Sequence, residues 1–193
     1  FVTTLSFNAF GDSFGYSPSI RHYFTSGTTT GDTGWSDSAL YTSPTLGGFT
    51  LQLSGALSES TGNGRNTGVN LRYAGGPFDA ALSWQNVKKD GATPLADTKT
   101  WQTAASYDFG VAKLFGQFGK VDNKTTGNAY DIAGLGASVP AGNGKLLAQW
   151  GQIKPETGAK RTTFSAGYDL FLSKRTDVYA VGMSDKIDGQ SSG

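Results

Sequence analysis

The sequence contains no cysteine, and only one histidine and one methionine among its 193 residues. Disulfide bonds and thiolate chemistry are therefore excluded. Charged residues make up 16% of the chain, well below the roughly one quarter that is usual, and the formal net charge of +1 indicates no nucleic-acid surface. Hydrophobic residues are scattered, so no segment approaches the run of about 18 apolar residues that a transmembrane helix needs.

Catalytic motifs are also missing. The single histidine, His22, has no nucleophile at a readable spacing, and there is no Gly-x-Ser-x-Gly elbow. No His/Cys cluster has the spacing of a zinc site, and no glycine-rich stretch is followed by the Lys-Ser/Thr of a phosphate loop. We therefore predict that the protein is not an enzyme and has no cofactor or metal.

Alternating residues are abundant, and the stretch around Tyr73–Phe78 shows the pattern best. Apolar and polar residues alternate from Thr67 to Tyr73, and again from Phe78 to Trp84 after the turn Gly75-Gly76-Pro77. One apolar face, one polar face and a short turn are typical of a β-hairpin.

The same unit recurs from residue 36 onward. We predict ten strands, each about ten residues long, which suits a tilted membrane span of about 9–11 residues: 36–43, 49–58, 66–74, 78–87, 99–108, 111–121, 129–139, 145–153, 161–170 and 176–185. No helix longer than one turn is indicated. Connections alternate between short turns and longer loops, the latter including 121–128 and 152–160, as in an up-and-down barrel.

One predicted face carries no charge in the middle of any strand. It includes Leu53, Leu71, Leu82, Trp84, Trp101, Phe118, Leu135, Trp150, Phe164, Tyr179, Val181 and Met183, and aromatic residues gather in two bands at the strand ends. The opposite face is polar and is interpreted as solvated rather than as a second core. The pattern predicts an all-β fold, a transmembrane antiparallel up-and-down β-barrel. The alternative is a soluble β-rich binding or adhesion module.

Residues 1–35 have no sustained period but are rich in glycine and aromatic residues. So many aromatic residues argue against disorder, and a long ordered loop in a compact domain is usually functional. We predict a packed loop over 1–35, barrel strands over 36–185, and a single domain over 1–193 whose two ends resemble cuts within a longer protein.

Three stretches resemble the general porins of Gram-negative bacteria, in the form common in beta-proteobacteria. They are 41–50 (YTSPTLGGFT), 71–78 (LRYAGGPF) and 167–180 (GYDLFLSKRTDVYA). The resemblance implies a sixteen-stranded barrel, of which about ten strands are present here, forming a homotrimer in the cell outer membrane in contact with lipid and lipopolysaccharide. It implies passive diffusion of small hydrophilic solutes and ions, and it makes residues 1–35 the loop that constricts the channel.

The resemblance also suggests which residues act on permeating solutes. Asp12 and Arg21 are the constriction candidates, because acidic residues of the inward loop face wall arginines in the family. One such arginine is absent here, since Thr33, Gly34 and Trp35 stand before Ser36-Asp37-Ser38. A slight basic excess in the long loops hints at a mild anion preference. The pore-lining candidates, which face inward by strand parity, are Asn70, Arg72, Lys113 and Gln117.

Overall fold

A computed structural model of the chain describes residues 2–11, 15–24, 34–57, 65–88 and 97–188. Their main feature is one sheet of ten antiparallel strands, in which each strand pairs with the next along the chain. Within the described residues β1 and β10 each pair on one side only, so the sheet is an open up-and-down arc. The strands are β1 (Ser38–Thr42), β2 (Phe49–Ala56), β3 (Asn66–Gly75), β4 (Phe78–Val87), β5 (Thr98–Asp108), β6 (Lys113–Asn123), β7 (Asn128–Ala141), β8 (Gly144–Pro155), β9 (Arg161–Ser173) and β10 (Thr176–Ile187).

The predicted strands are confirmed, but two of the predicted long loops are wrong. β6 and β7 are joined by residues 124–127 alone, and β8 and β9 by residues 156–160. The ladder continues through polar positions because backbone hydrogen bonding does not require apolar side chains. Asn123 then closes the β6–β7 turn, since its Oδ1 accepts from the backbone nitrogens of Thr125 (3.1 Å) and Thr126 (3.0 Å).

Strand register determines which side chains share a face. Leu71 lies opposite Leu82, and Trp84 lies opposite Trp101. These side chains remain exposed on the outer face of the sheet, together with Leu53, Val69, Phe118, Leu135, Leu146 and Phe164. A row of exposed large apolar residues across a whole sheet is too extensive for a soluble surface and suits contact with lipid.

Aromatic rings mark both ends of the outer face, as predicted. At the short turns, Phe49 packs on Tyr73 with ring centroids 4.8 Å apart, and Tyr107 packs on Phe109 at 4.6 Å. Toward the other end, Trp101 contacts Phe118 at 5.5 Å. Two such bands bordering an apolar strip are typical of the interfacial girdles of membrane barrels.

The predicted face of β10 is wrong. Tyr179, Val181 and Met183 pair with Asp169, Gly167 and Ser165, so they lie on the inner face. These apolar residues alternate with others as in a strand that faces lipid. Tyr179 and Val181 nevertheless line a cleft with Phe10 and Tyr16, which belong to the segment N-terminal to β1. Tyr179 and Val181 therefore lie on the inner side of the sheet, at a cleft beside the N-terminal segment, and not on the lipid side.

The N-terminal segment crosses the inner face of the sheet. It contains two short helices, α1 (Val2–Leu5) and α2 (Pro18–Phe24). The packed loop is confirmed for its described part, but the expectation of no helix beyond one turn is wrong for the seven residues of α2. The local signal was present: Ser17 caps the helix, since its Oγ accepts from the backbone nitrogen of Ile20 (3.5 Å), and Pro18 occupies the first helical position.

This segment gives the sheet a small core. Leu5, Ile20 and Tyr23 are buried against three inward side chains of the wall, Val121, Ile132 and Ile153. Phe7 fills a second site against Ala81 and Ala104. The interpretation of the inner face as wholly solvated is therefore wrong where the segment lies on it. Within the described residues, no helix is long and apolar enough to cross a membrane.

Candidate functional site: the inner wall and the segment that crosses it

A row of glutamines on the inner wall holds the N-terminal segment. Gln102 accepts a hydrogen bond from Thr4 Oγ1 at Oε1 (2.6 Å) and donates from Nε2 to Gln117 Oε1 (2.7 Å). Gln117 and Gln149 both donate from Nε2 to Ser19 Oγ, the latter over 2.5 Å. All five side chains are buried. The row therefore connects β5, β6 and β8 to both helices of the segment.

Gln149 also binds the backbone of the N-terminal segment. Gln149 Oε1 accepts from the nitrogen of Ala9 at 3.2 Å, so this one amide binds the turn after α1 with its oxygen and α2 with its nitrogen. A buried donor or acceptor that loses its hydrogen-bond partner lowers the stability by about 1–3 kcal/mol. The segment is thus fixed in one position on the wall.

Glycines on the wall make room for α2. A Cβ on Gly151 would lie 2.7 Å from Pro18 Cβ and 3.2 Å from His22 Cδ2. A Cβ on Gly134 would lie 2.9 Å from Ser19 Oγ, and one on Gly119 would collide with the Tyr23 hydroxyl. α2 can approach the strands this closely because the wall has glycine at these three positions.

Arg21 lies in a charged cluster at the edge of β9 and β10. Its Nη2 is 3.3 Å from Asp185 Oδ2. The same carboxylate accepts from Arg161 Nε (2.9 Å) and from Thr163 Oγ1 (2.9 Å). Two guanidinium groups share this carboxylate, which thereby anchors α2 to the wall.

His22 is fully buried between α2 and β8. Burial lowers the pKa of His22 to about 4, and the nearby Arg161 and Arg21 act in the same direction. The backbone of Gly151 and the carboxylate of Asp185 act in the opposite direction and do not outweigh the loss of hydration. At neutral pH the imidazole is neutral, which suits its close packing beside two arginines.

The structure places the four predicted pore-lining residues at three different parts of the inner wall. Gln117 belongs to the row that binds the segment. Arg72 forms a bidentate pair with Asp79, with Nε–Oδ1 at 2.9 Å and Nη2–Oδ2 at 2.5 Å. Lys113 Nζ lies 5.4 Å from the ring centroid of Phe115. Both cations lie near short turns: Arg72 is close to the end of β3, and Lys113 is the first residue of β6.

Asn70 and Trp35 come together with residues of β2 and β4. Asn70 is 4% exposed, and it lines a cleft of about 320 Å³ with Gln52, Gln85 and Trp35. Sequence reasoning placed Asn70 on the inner wall but gave no role to Gln85, to Gln149 or to Asp185. Parity marks Gln85 and Gln149 as inward but would have placed Asp185 outward with Tyr179 and Val181, and only the position of the N-terminal segment distinguishes these residues from other polar positions.

Asp12 lies outside the described residues, and its place at a constriction stays a prediction. Its described neighbours on either side, Gly11 and Tyr16, line a cleft of about 250 Å³ with Lys145 and Asp169. Lys145 Nζ is 3.4 Å from Asp169 Oδ2. Within the described part of the chain, no group of three or more His, Asp or Glu side chains is placed to hold a metal ion.

Comparison with known proteins agrees with this architecture. The profile of the Gram-negative porin family matches residues 2–190. An outer membrane porin protein of Bordetella pertussis is 30% identical, aligned over 62% of this chain and 40% of that protein. Outer membrane porin protein 32 of Delftia acidovorans is 31% identical, aligned over 72% of this chain and 43% of its own length. The chain thus spans less than half the length of these relatives.

Solved structures give the same fold. An anion-selective porin from Comamonas acidovorans superposes with a TM-score of 0.72 at 26% identity, over 83% of this chain and 54% of that one. OmpT of Vibrio cholerae, in its trimer form, superposes with a TM-score of 0.60 at 14% identity, over 78% of this chain and 54% of that one. The second likeness concerns the fold alone.

Proposed function

Since the chain belongs to the Gram-negative porin family, we propose that it forms part of the wall, and the inward segment, of a water-filled channel for small hydrophilic solutes and ions. The family and the relatives named above place it in the cell outer membrane. The prediction that it is not an enzyme is confirmed by membership in a family of channels. The soluble-module alternative has no support from these comparisons.

The observation that carries the proposal is the pairing of an exposed apolar outer face with an inner face that holds a segment by buried polar contacts. A wall with lipid on one side needs water or protein on the other, because strands alternate their side chains. The segment from α1 to α2 occupies part of the space on the inner side of the sheet and so narrows the channel.

The inner wall supports general diffusion and not strong charge selection. Most of its described cations lie beside carboxylates: Arg72 beside Asp79, Lys145 beside Asp169, and Arg21 and Arg161 beside Asp185. Lys113 lies instead over the ring of Phe115. Paired charges largely cancel each other's field at a distance, so selection falls mainly on solute size. We propose at most a mild anion preference, because the Asp185 carboxylate lies between the two guanidinium groups of Arg21 and Arg161.

We propose a homotrimer embedded in outer-membrane lipid and lipopolysaccharide. The trimer rests on likeness to OmpT, which is trimeric in the matching form. The proposed contact with lipopolysaccharide rests on two exposed lysines of the outer face, beyond the tryptophan band. Lys120 lies opposite Trp101 on the neighbouring strand, and Lys154 lies opposite Asp131. Ammonium groups at that depth suit phosphate.

The experiment that tests the function is reconstitution of the complete barrel containing this chain into planar lipid bilayers. Stepwise conductance that scales with bulk salt conductivity is expected of a water-filled channel. Absence of conductance steps from protein shown to be folded would overturn the proposal. Replacement of Asp12 by Asn tests the constriction prediction separately, since an unchanged reversal potential would remove Asp12 from the narrow region.

A further inference from the structure

The cleft beside β2, β3 and β4 contains buried polar atoms that the protein does not satisfy. Neither Oδ1 nor Nδ2 of Asn70 has a hydrogen-bond partner among the described residues, and Gln85 Nε2 likewise lacks one there. Asn70 is 4% exposed and Gln85 3% exposed. Native proteins pair nearly all buried polar groups, so each exception calls for an explanation.

The surroundings of these amides have the composition of a ligand pocket. The cleft measures about 320 Å³, at the lower end of the roughly 300–1,000 Å³ typical of small-molecule sites. Among the described residues that line it none is charged, and the lining includes the indole of Trp35. The indole packs over Gly68, where a Cβ would lie 3.3 Å from Trp35 Cη2. Because Gly68 has no side chain, the indole ring has room to lie against the strand at this position.

The remaining polar groups of the cleft are already positioned. Gln52 Oε1 accepts from Thr3 Oγ1 at 3.2 Å, and Ser54 Oγ donates to the Gly68 carbonyl at 3.3 Å. Thr3 belongs to the N-terminal segment, so that segment forms one side of the cleft. The donors and acceptors of Asn70 and Gln85 are therefore held on a fixed frame, close to an aromatic face.

We propose that this cleft is a binding subsite for neutral polyhydroxylated solutes of about monosaccharide size. A hydroxyl group both donates and accepts, which matches the free Oδ1 and Nδ2 of one amide. The C–H faces of such a solute suit an indole ring, whereas an ion gains nothing from an uncharged cleft. The inference rests on the proposed channel function and adds a solute class to it.

The test is single-channel conductance of the reconstituted complete barrel in the presence of glucose. Binding predicts a saturable fall in current, while dimethyl-capped polyethylene glycol of similar size, which has no hydroxyl group and cannot donate hydrogen bonds, lowers the current only in proportion to bulk conductivity. Asn70→Leu and Gln85→Leu are each expected to raise the half-saturating glucose concentration by about tenfold, the equivalent of one lost hydrogen bond.

Ser165→Ala is the matched control. Ser165 is equally buried on the inner wall, its Oγ also lacks a partner among the described residues, and it lies on β9 away from the cleft. This variant is expected to leave the glucose response unchanged. A wild-type response that matches polyethylene glycol shows that the cleft holds water only and overturns the inference. Conductance steps in salt alone remain in that case, so the channel proposal is judged independently.

Discussion

Gln149 on the wall donates a hydrogen bond of 2.5 Å to Ser19 on the inward helix. The two residues are 130 positions apart in the sequence, and Gln117 donates to the same hydroxyl from a different strand. One serine therefore satisfies two buried amides. This oxygen is therefore one of the main contacts that fix the position of the inward segment, and with it the width of the space beside it.

Ser19→Ala is expected to loosen the segment. Two buried amide nitrogens lose their acceptor, at a cost of about 1–3 kcal/mol each, so the segment will leave the wall more often. Single-channel recordings should show greater current noise and a changed conductance. Ser138→Ala, on the same inner wall in β7, is the control and should behave as wild type. Identical noise in both variants would contradict a positioning role for Ser19.

Gly151→Ala is expected to displace α2. The added methyl would lie 2.7 Å from Pro18 Cβ, and overpacking of this kind costs about 1–3 kcal/mol. The conductance should change without loss of the barrel, as judged by circular dichroism.

Gly182→Ala provides the matched control for that substitution. It makes the same change in a strand, but a Cβ there meets nothing within 4 Å. If both variants have wild-type conductance, the close approach of α2 to β8 does not set the channel width.

Acidification is expected to weaken the docking of α2. The pKa of His22 is about 4 when docked, against 6.5 for the free group, so the undocked state binds the proton first. Docking is fully stable above pH 6.5, and its equilibrium constant should fall by about tenfold for each pH unit between 6.5 and 4.

Current noise measured from pH 7 to pH 4 checks this effect. The cation formed at His22 would face Arg21 and Arg161 as well as the carboxylate of Asp185. His22→Gln, which does not titrate, should remove the part of the pH response that falls in this window. A response that persists unchanged in the variant would assign it to other groups.

Asp185→Asn is expected to increase anion preference. The change removes the carboxylate that Arg21 and Arg161 share, and should raise the anion-to-cation permeability ratio about twofold at 0.1 M salt and less at 1 M, where screening is stronger. Reversal potentials in a salt gradient measure this. Asp131→Asn, on the exposed outer end of β7, should have no effect, and equal shifts in the two variants would argue against a lumenal cluster.

Leu82→Arg is expected to impair membrane assembly. Leu82 is 53% exposed on the outer face, and a basic residue facing mid-bilayer lipid costs about 2–4 kcal/mol. Leu172→Arg, near the β9–β10 turn, should cost about 0–1 kcal/mol, as expected near an interface. Equilibrium unfolding in lipid vesicles compares the two, and equal losses of stability would show that Leu82 does not face the bilayer interior.

Much of the fold was predictable because its rules are local. The two-residue period of a strand assigns Leu71 and Leu82 to one face without knowledge of any neighbour. The same rule failed for Tyr179 and Val181, because an apolar residue in a strand indicates that something covers it without indicating what. In β10 these two side chains line a cleft with Phe10 and Tyr16 of the N-terminal segment, about 170 residues earlier in the sequence.

By itself, the sequence determined the number of strands, their alternation, the apolar outer band and the absence of catalytic chemistry, since these follow from residue type and short-range period. Only the tertiary structure decided which inward residues matter. Gln117 and Gln149 meet at Ser19, and Arg161 meets Arg21 at Asp185. The amide of Asn70, in the cleft with Trp35, has no partner among the residues that the structure describes. Those relationships depend on where one segment lies across the sheet. That position is the outcome of several buried contacts formed together, none of which has a signature in the local sequence.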